Sequence, residues 1–179
     1  CEKIINIIRK ENIKIIGEVG LDMKFVPKTI KYQRVVFDKF LSLASELRLC
    51  MNLHTPNTWG EVFNLLLKQD IPSAIFHWYT GPVKLLKEIE QQGYFISLNP
   101  AMTVQKKQQE IANQAPIDII LLESDAPYEY RGVRLDPRII TKALEHLAII
   151  KDMDKFDLLK ILNNNLGRLL RDIGLSINT

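Results

Sequence analysis

The sequence has few of the residues that mark disulfide-stabilised or membrane-spanning proteins. Its 179 residues include two cysteines, Cys1 and Cys50, and three histidines. Two cysteines do not make a disulfide framework, and neither a bilayer-spanning apolar run nor a signal peptide is visible. Basic residues outnumber acidic ones by 24 to 21, a balance that does not by itself indicate an anionic partner. We therefore expect a protein of a reducing compartment, the cytoplasm, with no membrane partner.

Apolar segments alternate with helical patterns along the whole chain. With 46% hydrophobic and 25% charged residues, the composition is that of a globular protein, and the length suits a single domain over residues 1–179. Short apolar strands between helices predict parallel β/α units, because such strands are covered by helices on both faces or close into a barrel. We count five strands: Ile13–Gly17, Leu49–His54, Ser73–Tyr79, Tyr94–Asn99 and Ile117–Asp125.

Four side chains able to bind metal stand where these strands end. Glu18 follows the first strand, His54 ends the second, His77 falls at the end of the third and Asp125 closes the fifth. In parallel α/β folds the carboxyl ends of the strands share one rim, where ligands bind. Two carboxylates and two imidazoles suit Zn²⁺, Mn²⁺ or a similar ion. Each residue alone also fits a packing or helix-capping role, so the joint pattern carries the prediction.

Other polar residues near these ends have simpler interpretations. Asp22 is more consistent with a residue that braces its loop than with a metal ligand, and the third histidine, His146, lies in a helix without a partner motif. Glu123 is expected to share a strand face with Asp125, as a residue that orients or assists it. The following loop either is simply solvated or binds a nucleic acid, with arginines on phosphates and tyrosines on bases. Its candidates are Tyr128, Tyr130, Arg131, Arg134 and Arg138.

The sequence resembles the TatD-related metal-dependent hydrolases and deoxyribonucleases, which are amidohydrolase-like (β/α)₈ barrels. The resemblance lies in blocks that occur in register from about residue 13 onward. They are GEVGLD (17–22), Gln33 in the next helix, NLHTP (52–56), FHWYTG (76–81), GYFISL (93–98), LLESDAPY (121–128) and NNNLGRLL (163–170).

The resemblance implies a role for each matched residue. Glu18 corresponds to a carboxylate that bridges two metal ions, His54 and His77 to the remaining ligands of one ion, and Asp125 to a ligand of the other and the base that acts on the attacking water. The implied cofactors are up to two divalent ions of zinc, manganese or magnesium. The implied activity is metal-dependent cleavage of DNA phosphodiester bonds, on single strands or 3′ ends. The residue types themselves make Arg131, Tyr128 and Glu123 the candidate substrate contacts. Hydrolysis of an ester or amide, and a non-catalytic split-barrel module, are the alternatives.

The sequence also departs from the family pattern. It has no His-x-His pair, it supplies about five of the eight β/α units, and it begins with Cys1 inside an amphipathic helix. We therefore expect the N-terminal barrel strands to be absent, either because this is a fragment or because a separate polypeptide supplies them. One metal position would then lack ligands, so the isolated chain should bind at most one ion well and have little activity. An open parallel edge also predicts self-association or a partner segment.

Overall fold

The computed structural model describes residues 1–175, in which helices and strands alternate. The strands are β1 (Ile15–Gly20), β2 (Cys50–His54), β3 (Ser73–Phe76), β4 (Phe95–Leu98), β5 (Ile120–Leu122), β6 (Glu129–Tyr130) and β7 (Val133–Arg134). The helices are α1 (Glu2–Lys10), α2 (Ile30–Leu47), α3 (Trp59–Lys68), α4 (Leu85–Gln91), α5 (Lys106–Gln114), α6 (Ile140–Lys151) and α7 (Lys155–Asp172). The first five strands pair in parallel within two compact units, which confirms the predicted α/β fold with five β/α units.

The first unit comprises residues 1–77 and, at the end of the described part of the chain, residues 169–175. Its strands β1, β2 and β3 are paired in parallel in that order. Helix α2 buries one stripe of side chains at helical spacing, namely Phe37, Phe40, Leu41 and Ala44. These pack in a core with fully buried residues of the strands and of α3, among them Met51, Leu53, Leu66 and Phe76. Two parallel crossovers thus bring the carboxyl ends of three strands to one edge.

Strand β1 contains an irregularity that places Glu18. Ile16 pairs with Met51, but Val19 pairs with Leu53, so β1 has one more residue than β2 over this stretch. Such a bulge re-aims a side chain. The prediction that Glu18 follows the first strand is therefore wrong: β1 continues to Gly20, because pairing with β2 resumes beyond the bulge.

The second unit comprises Trp78–Arg168. Strand β4 is buried at every position and pairs in parallel with β5. The core of this unit includes the fully buried side chains Ile89 of α4, Ile111 of α5, Leu147 of α6 and Ile96 of β4. The loop after β5 carries an antiparallel pair, β6 and β7, that the sequence did not predict because each strand has only two residues.

The fifth strand is shorter than predicted. Residues Ile117–Ile119 form a 3₁₀ turn, β5 ends at Leu122, and Asp125 has a left-handed φ of 50°. The expectation that Glu123 and Asp125 share a strand face is therefore wrong, because β5 ends before both residues and the backbone at Asp125 is left-handed.

No helix within residues 1–175 combines the length and apolar character needed to cross a bilayer. The cytoplasmic location and the single domain stay predictions.

Candidate metal centre

Three strands bring the predicted ligands of the first unit together. Glu18 projects from the bulge of β1, His54 is the last residue of β2, and His77 is the first residue after β3. His77 is held there by its backbone N–H, which donates to the carbonyl of Leu53 at 3.1 Å. Because β1, β2 and β3 are parallel neighbours, residues that are far apart in the sequence lie together at the ends of these strands.

The donor atoms of this cluster converge on one carboxylate oxygen. His54 Nδ1 lies 3.3 Å and His77 Nε2 3.5 Å from Glu18 Oε2, and one donor atom of each residue lies within 4.8 Å of the others. The imidazole rings are stacked with centroids 6.5 Å apart. The side chain of His77 is 8% exposed, while those of Glu18 and His54 are 43% and 37% exposed. The cluster is thus partly open to solvent, as a site that admits ligands requires.

A carboxylate with two imidazoles is a donor set that fits a divalent ion such as Zn²⁺ or Mn²⁺. Within residues 1–175, these three residues form the group of histidine, cysteine or carboxylate side chains whose donor atoms lie close enough together to hold a metal ion. The residues present therefore fit the metal that the sequence predicts. Which ion is bound, and whether a second is bound, stay predictions.

Without a metal, the histidine and the carboxylate stabilise each other's charge. The hydrogen bond with His54 lowers the pKa of Glu18 below its ordinary 4.5, although burial opposes the shift. The hydrogen bond with Glu18 correspondingly raises the pKa of His54 above its ordinary 6.5, against the effect of burial and with further help from Asp22. The two neighbouring carboxylates therefore favour the protonated form of the His54 ring over the neutral form.

Asp22 braces the loop that follows β1, as the sequence interpretation held. Its Oδ1 accepts hydrogen bonds from the backbone N–H groups of Lys24 and Phe25 at 2.8 and 2.7 Å. Its Oδ2 lies 3.2 Å from His54 Nε2. Burial raises the pKa of Asp22, but the hydrogen bonds from Phe25, His54 and Lys24 outweigh burial and leave this pKa below its ordinary value.

Gln33 completes the same loop, a role that the sequence reasoning did not assign. Its Oε1 accepts the backbone N–H of Asp22 at 2.7 Å, and its Nε2 donates to the carbonyl of Val26 at 3.0 Å and to Thr29 Oγ1 at 2.8 Å. The available signal was a glutamine one turn into α2 beside a loop rich in unpaired backbone groups. A carboxamide can satisfy both donors and acceptors of such a loop.

The remaining predicted residues lie in the second unit. Glu123 Oε1 accepts the backbone N–H of Trp78 at 3.0 Å, so it fixes the residue that directly follows His77. Tyr128 is 54% exposed and packs edge-on against Trp78, with ring centroids 5.8 Å apart. Exposed Arg131 lies with Cζ 5.4 Å from the centroid of Tyr130.

Asp125 lies in the loop after β5, and its carbonyl accepts the backbone N–H of Tyr128. Its role as a metal ligand and base stays a prediction.

Comparison with known proteins gives the same family over nearly the whole chain. The family model described as TatD related DNase matches residues 1–171. An uncharacterized metal-dependent hydrolase of Methanocaldococcus jannaschii is 29% identical over 168 residues, which cover 92% of this chain and 66% of that protein. Human deoxyribonuclease TATDN3 is 29% identical, over 87% of this chain and 59% of its own length.

A solved structure supports the fold. The crystal structure of YJJV, a TatD homologue from Escherichia coli, matches with a TM-score of 0.83 at 22% identity, over 94% of this chain and 68% of that one. The chain therefore spans about two thirds or less of the length of these relatives. Since the family model matches residues 1–171 of the 179, the chain belongs to the TatD-related DNase family.

Proposed function

We propose that this chain carries the metal-binding part of a hydrolase that cleaves phosphodiester bonds in DNA. The observation that carries the proposal is the convergence of Glu18, His54 and His77, with donor atoms within 4.8 Å of one another. Relatives named as metal-dependent hydrolases and as a deoxyribonuclease support it.

The residues would divide the work as follows. Glu18, His54 and His77 would hold a divalent ion. When bound, such an ion would supply Lewis acidity and lower the pKa of water toward neutrality. Asp125 would accept the proton of the attacking water and contribute a ligand to a second metal position, the roles that the family resemblance implies for it. Glu123 holds the backbone at Trp78, and so supports the position of the adjacent His77.

The exposed loop of the second unit supports a nucleic-acid substrate. Tyr128 offers an exposed aromatic ring backed by Trp78, and Arg131 is an exposed cation close to Tyr130. Arg138 is less available, since its guanidinium is paired with Asp136 at 2.8 Å. Stacking on aromatic rings is worth about 1–3 kcal/mol per base.

The free edge of β1 supports a further partner. Within residues 1–175 β1 pairs only with β2, and a groove of about 400 Å³ lies beside it. The groove is lined by Glu18, Gln33 and mostly apolar side chains of β1 and α2, including Tyr32 and Val36. We propose that this edge is covered by a further strand, from a second copy or from a segment that completes the barrel.

The first test is metal content. Elemental analysis of the purified chain, before and after incubation with Zn²⁺, Mn²⁺ or Mg²⁺, should give about one ion per chain. His77→Ala should abolish it, whereas substitution of His146, outside the cluster, should not. A metal content near zero in all conditions would support the non-catalytic alternative.

The second test is cleavage. Labelled single-stranded DNA is incubated with each metal and with this chain, alone or with a segment that supplies further barrel strands, alongside ester and amide substrates. Tyr128→Ala should raise KM for single-stranded DNA several-fold, because a stacking contact is lost. Phe156→Ala, which removes a 67% exposed ring elsewhere in the second unit, should leave KM unchanged. Absence of DNA cleavage in every metal, with and without the added segment, would refute the nuclease proposal.

A further inference from the structure

Both ring nitrogens of His54 face carboxylates. Nδ1 lies 3.3 Å from Glu18 Oε2, and Nε2 lies 3.2 Å from Asp22 Oδ2. A neutral imidazole carries one N–H and one lone pair, so the carboxylate that accepts the N–H decides which nitrogen is left to bind a metal.

The two carboxylates do not compete on equal terms. Asp22 is only 6% exposed, and its Oδ1 is held by the backbone N–H groups of Lys24 and Phe25. Its backbone is held in turn by Gln33, so Oδ2 is fixed in front of His54 Nε2. The Glu18 side chain is 43% exposed, so water competes for its oxygens. A fixed and desolvated acceptor forms the stronger hydrogen bond.

We propose that Asp22 is a positioning residue that keeps the proton of neutral His54 on Nε2, so that the Nδ1 lone pair faces Glu18 and is available to a metal ion. The metal part of this inference rests on the proposed function; the tautomer itself does not. Carboxylates that accept the second N–H of a ligating histidine commonly change metal affinity about 10–100-fold when they are replaced.

Asp22→Asn separates this role from bracing of the loop. The one amide oxygen of asparagine can still accept the backbone N–H groups of Lys24 and Phe25, which keeps the loop. The NH₂ group then faces His54 Nε2 and donates to it. The substitution is therefore expected to move the imidazole proton to Nδ1, where it blocks the atom that faces Glu18.

Asp154→Asn is the matched control. Asp154 Oδ1 accepts the backbone N–H groups two and three residues later, those of Phe156 and Asp157, at 2.8 and 3.2 Å. This is the same local pattern that Asp22 makes with Lys24 and Phe25. Within residues 1–175, Asp154 makes no hydrogen bond or ion pair with a histidine. The control therefore reproduces the loss of charge and the retained turn without the contact to an imidazole.

The primary readout is the ¹⁵N chemical shifts of the His54 ring in the metal-free chain at alkaline pH, where the imidazole is neutral. The wild type and Asp154→Asn should carry the proton on Nε2, and Asp22→Asn should carry it on Nδ1. A wild-type proton on Nδ1, or an unchanged tautomer in folded Asp22→Asn, overturns the proposal. If Asp22→Asn does not fold, the position of the ring proton in the wild type tests the proposal by itself.

The second readout is Zn²⁺ affinity by competition with a chromophoric chelator. Asp22→Asn should bind about 10–100-fold more weakly than the wild type, and Asp154→Asn should bind equally well. A changed tautomer with unchanged Zn²⁺ affinity overturns the link to metal binding. Failure of the wild type to bind Zn²⁺ would instead count against the proposed function, while the ring shifts would still decide the tautomer.

Discussion

Gly20 allows β1 to approach the end of β2 that carries His54. A Cβ built at this position would lie 1.9 Å from the carbonyl oxygen of His54, which accepts the backbone N–H of Leu21 at 3.0 Å. We expect Gly20→Ala to lower the free energy of unfolding by at least about 1–3 kcal/mol, since backbone must shift to relieve the overlap. Urea unfolding measures the change.

Gly60 provides the contrast for this prediction. It lies inside α3, and an added Cβ there meets nothing within 4 Å. Gly60→Ala should therefore raise stability by up to about 1 kcal/mol, because alanine has the higher helix propensity. Equal effects of the two substitutions would contradict the close approach at Gly20.

The mutual pKa shifts of Glu18 and His54 predict that the metal affinity of this cluster depends on pH. Because Glu18 raises the pKa of His54 above 6.5, protons compete with the metal for this ring to a higher pH than for an isolated histidine. The pKa of Glu18 is lowered, so that carboxylate stays ionised throughout this range. Affinity should therefore fall as pH decreases through the His54 pKa and level off above it.

Zn²⁺ titrations at a series of pH values from weakly acidic to alkaline check this dependence. An affinity that does not change across the range would show that His54 is not a ligand. The ¹⁵N ring shifts of His54 measure its protonation independently of the metal. His77→Ala cannot serve as the control variant, because it removes another of the proposed ligands.

At the scale of elements, Asn165 ties α7 to the segment that leads into β5. Its Nδ2 donates to the carbonyls of Ile117 and Ile120, each at 2.9 Å, and the residue is 2% exposed. Asn165→Ala should lower the free energy of unfolding by about 1–3 kcal/mol, because the buried carbonyl of Ile120 loses this partner. Thermal or urea unfolding tests the prediction.

The neighbouring Asn164 serves as the control, since it is exposed on the same helix. Asn164→Ala should change stability by no more than about 0.5 kcal/mol. If both substitutions cost the same, the stability of this region comes from helix propensity and not from the side-chain bridge to the β5 segment.

At the scale of the whole molecule, exposed apolar residues beside the edge of β1 predict concentration-dependent association. Val36 lines the groove there and is 44% exposed. Unpaired strand edges with apolar surroundings pair with other chains. Val36→Lys should therefore shift the sedimentation profile toward the monomer, since a charge in the groove must be desolvated on association.

Ile149→Lys tests whether this effect is specific. Ile149 is 76% exposed on α6 of the second unit, so the substitution adds the same charge away from the groove. It should leave the association unchanged. A wild-type chain that stays monomeric at high concentration would contradict self-association and leave a separate segment as the partner.

Local pattern predicted the five parallel strands and the candidate ligands, but not the exact ends of β1 and β5 or the short pair β6 and β7. Apolar strands alternating with amphipathic helices impose parallel β/α units, and parallel units place the residues at strand ends on one rim. That reasoning selects Glu18, His54, His77 and Asp125, of which the structure brings the first three together, and it assigns Asp22 to its loop. Each of these inferences depends only on short-range periodicity and on the chemistry of the residue types.

The tertiary structure decided what depends on exact register. The extra residue in β1, which aims Glu18 at two histidines, follows from pairing with β2 and has no signature in the β1 sequence alone. The early end of β5 and the left-handed Asp125 likewise depend on packing that overrides an apolar run. The contact of Asp22 with the second nitrogen of His54 joins residues 32 positions apart. A three-dimensional approach of this kind is set by the cooperative packing of several elements, so only the folded chain reveals it.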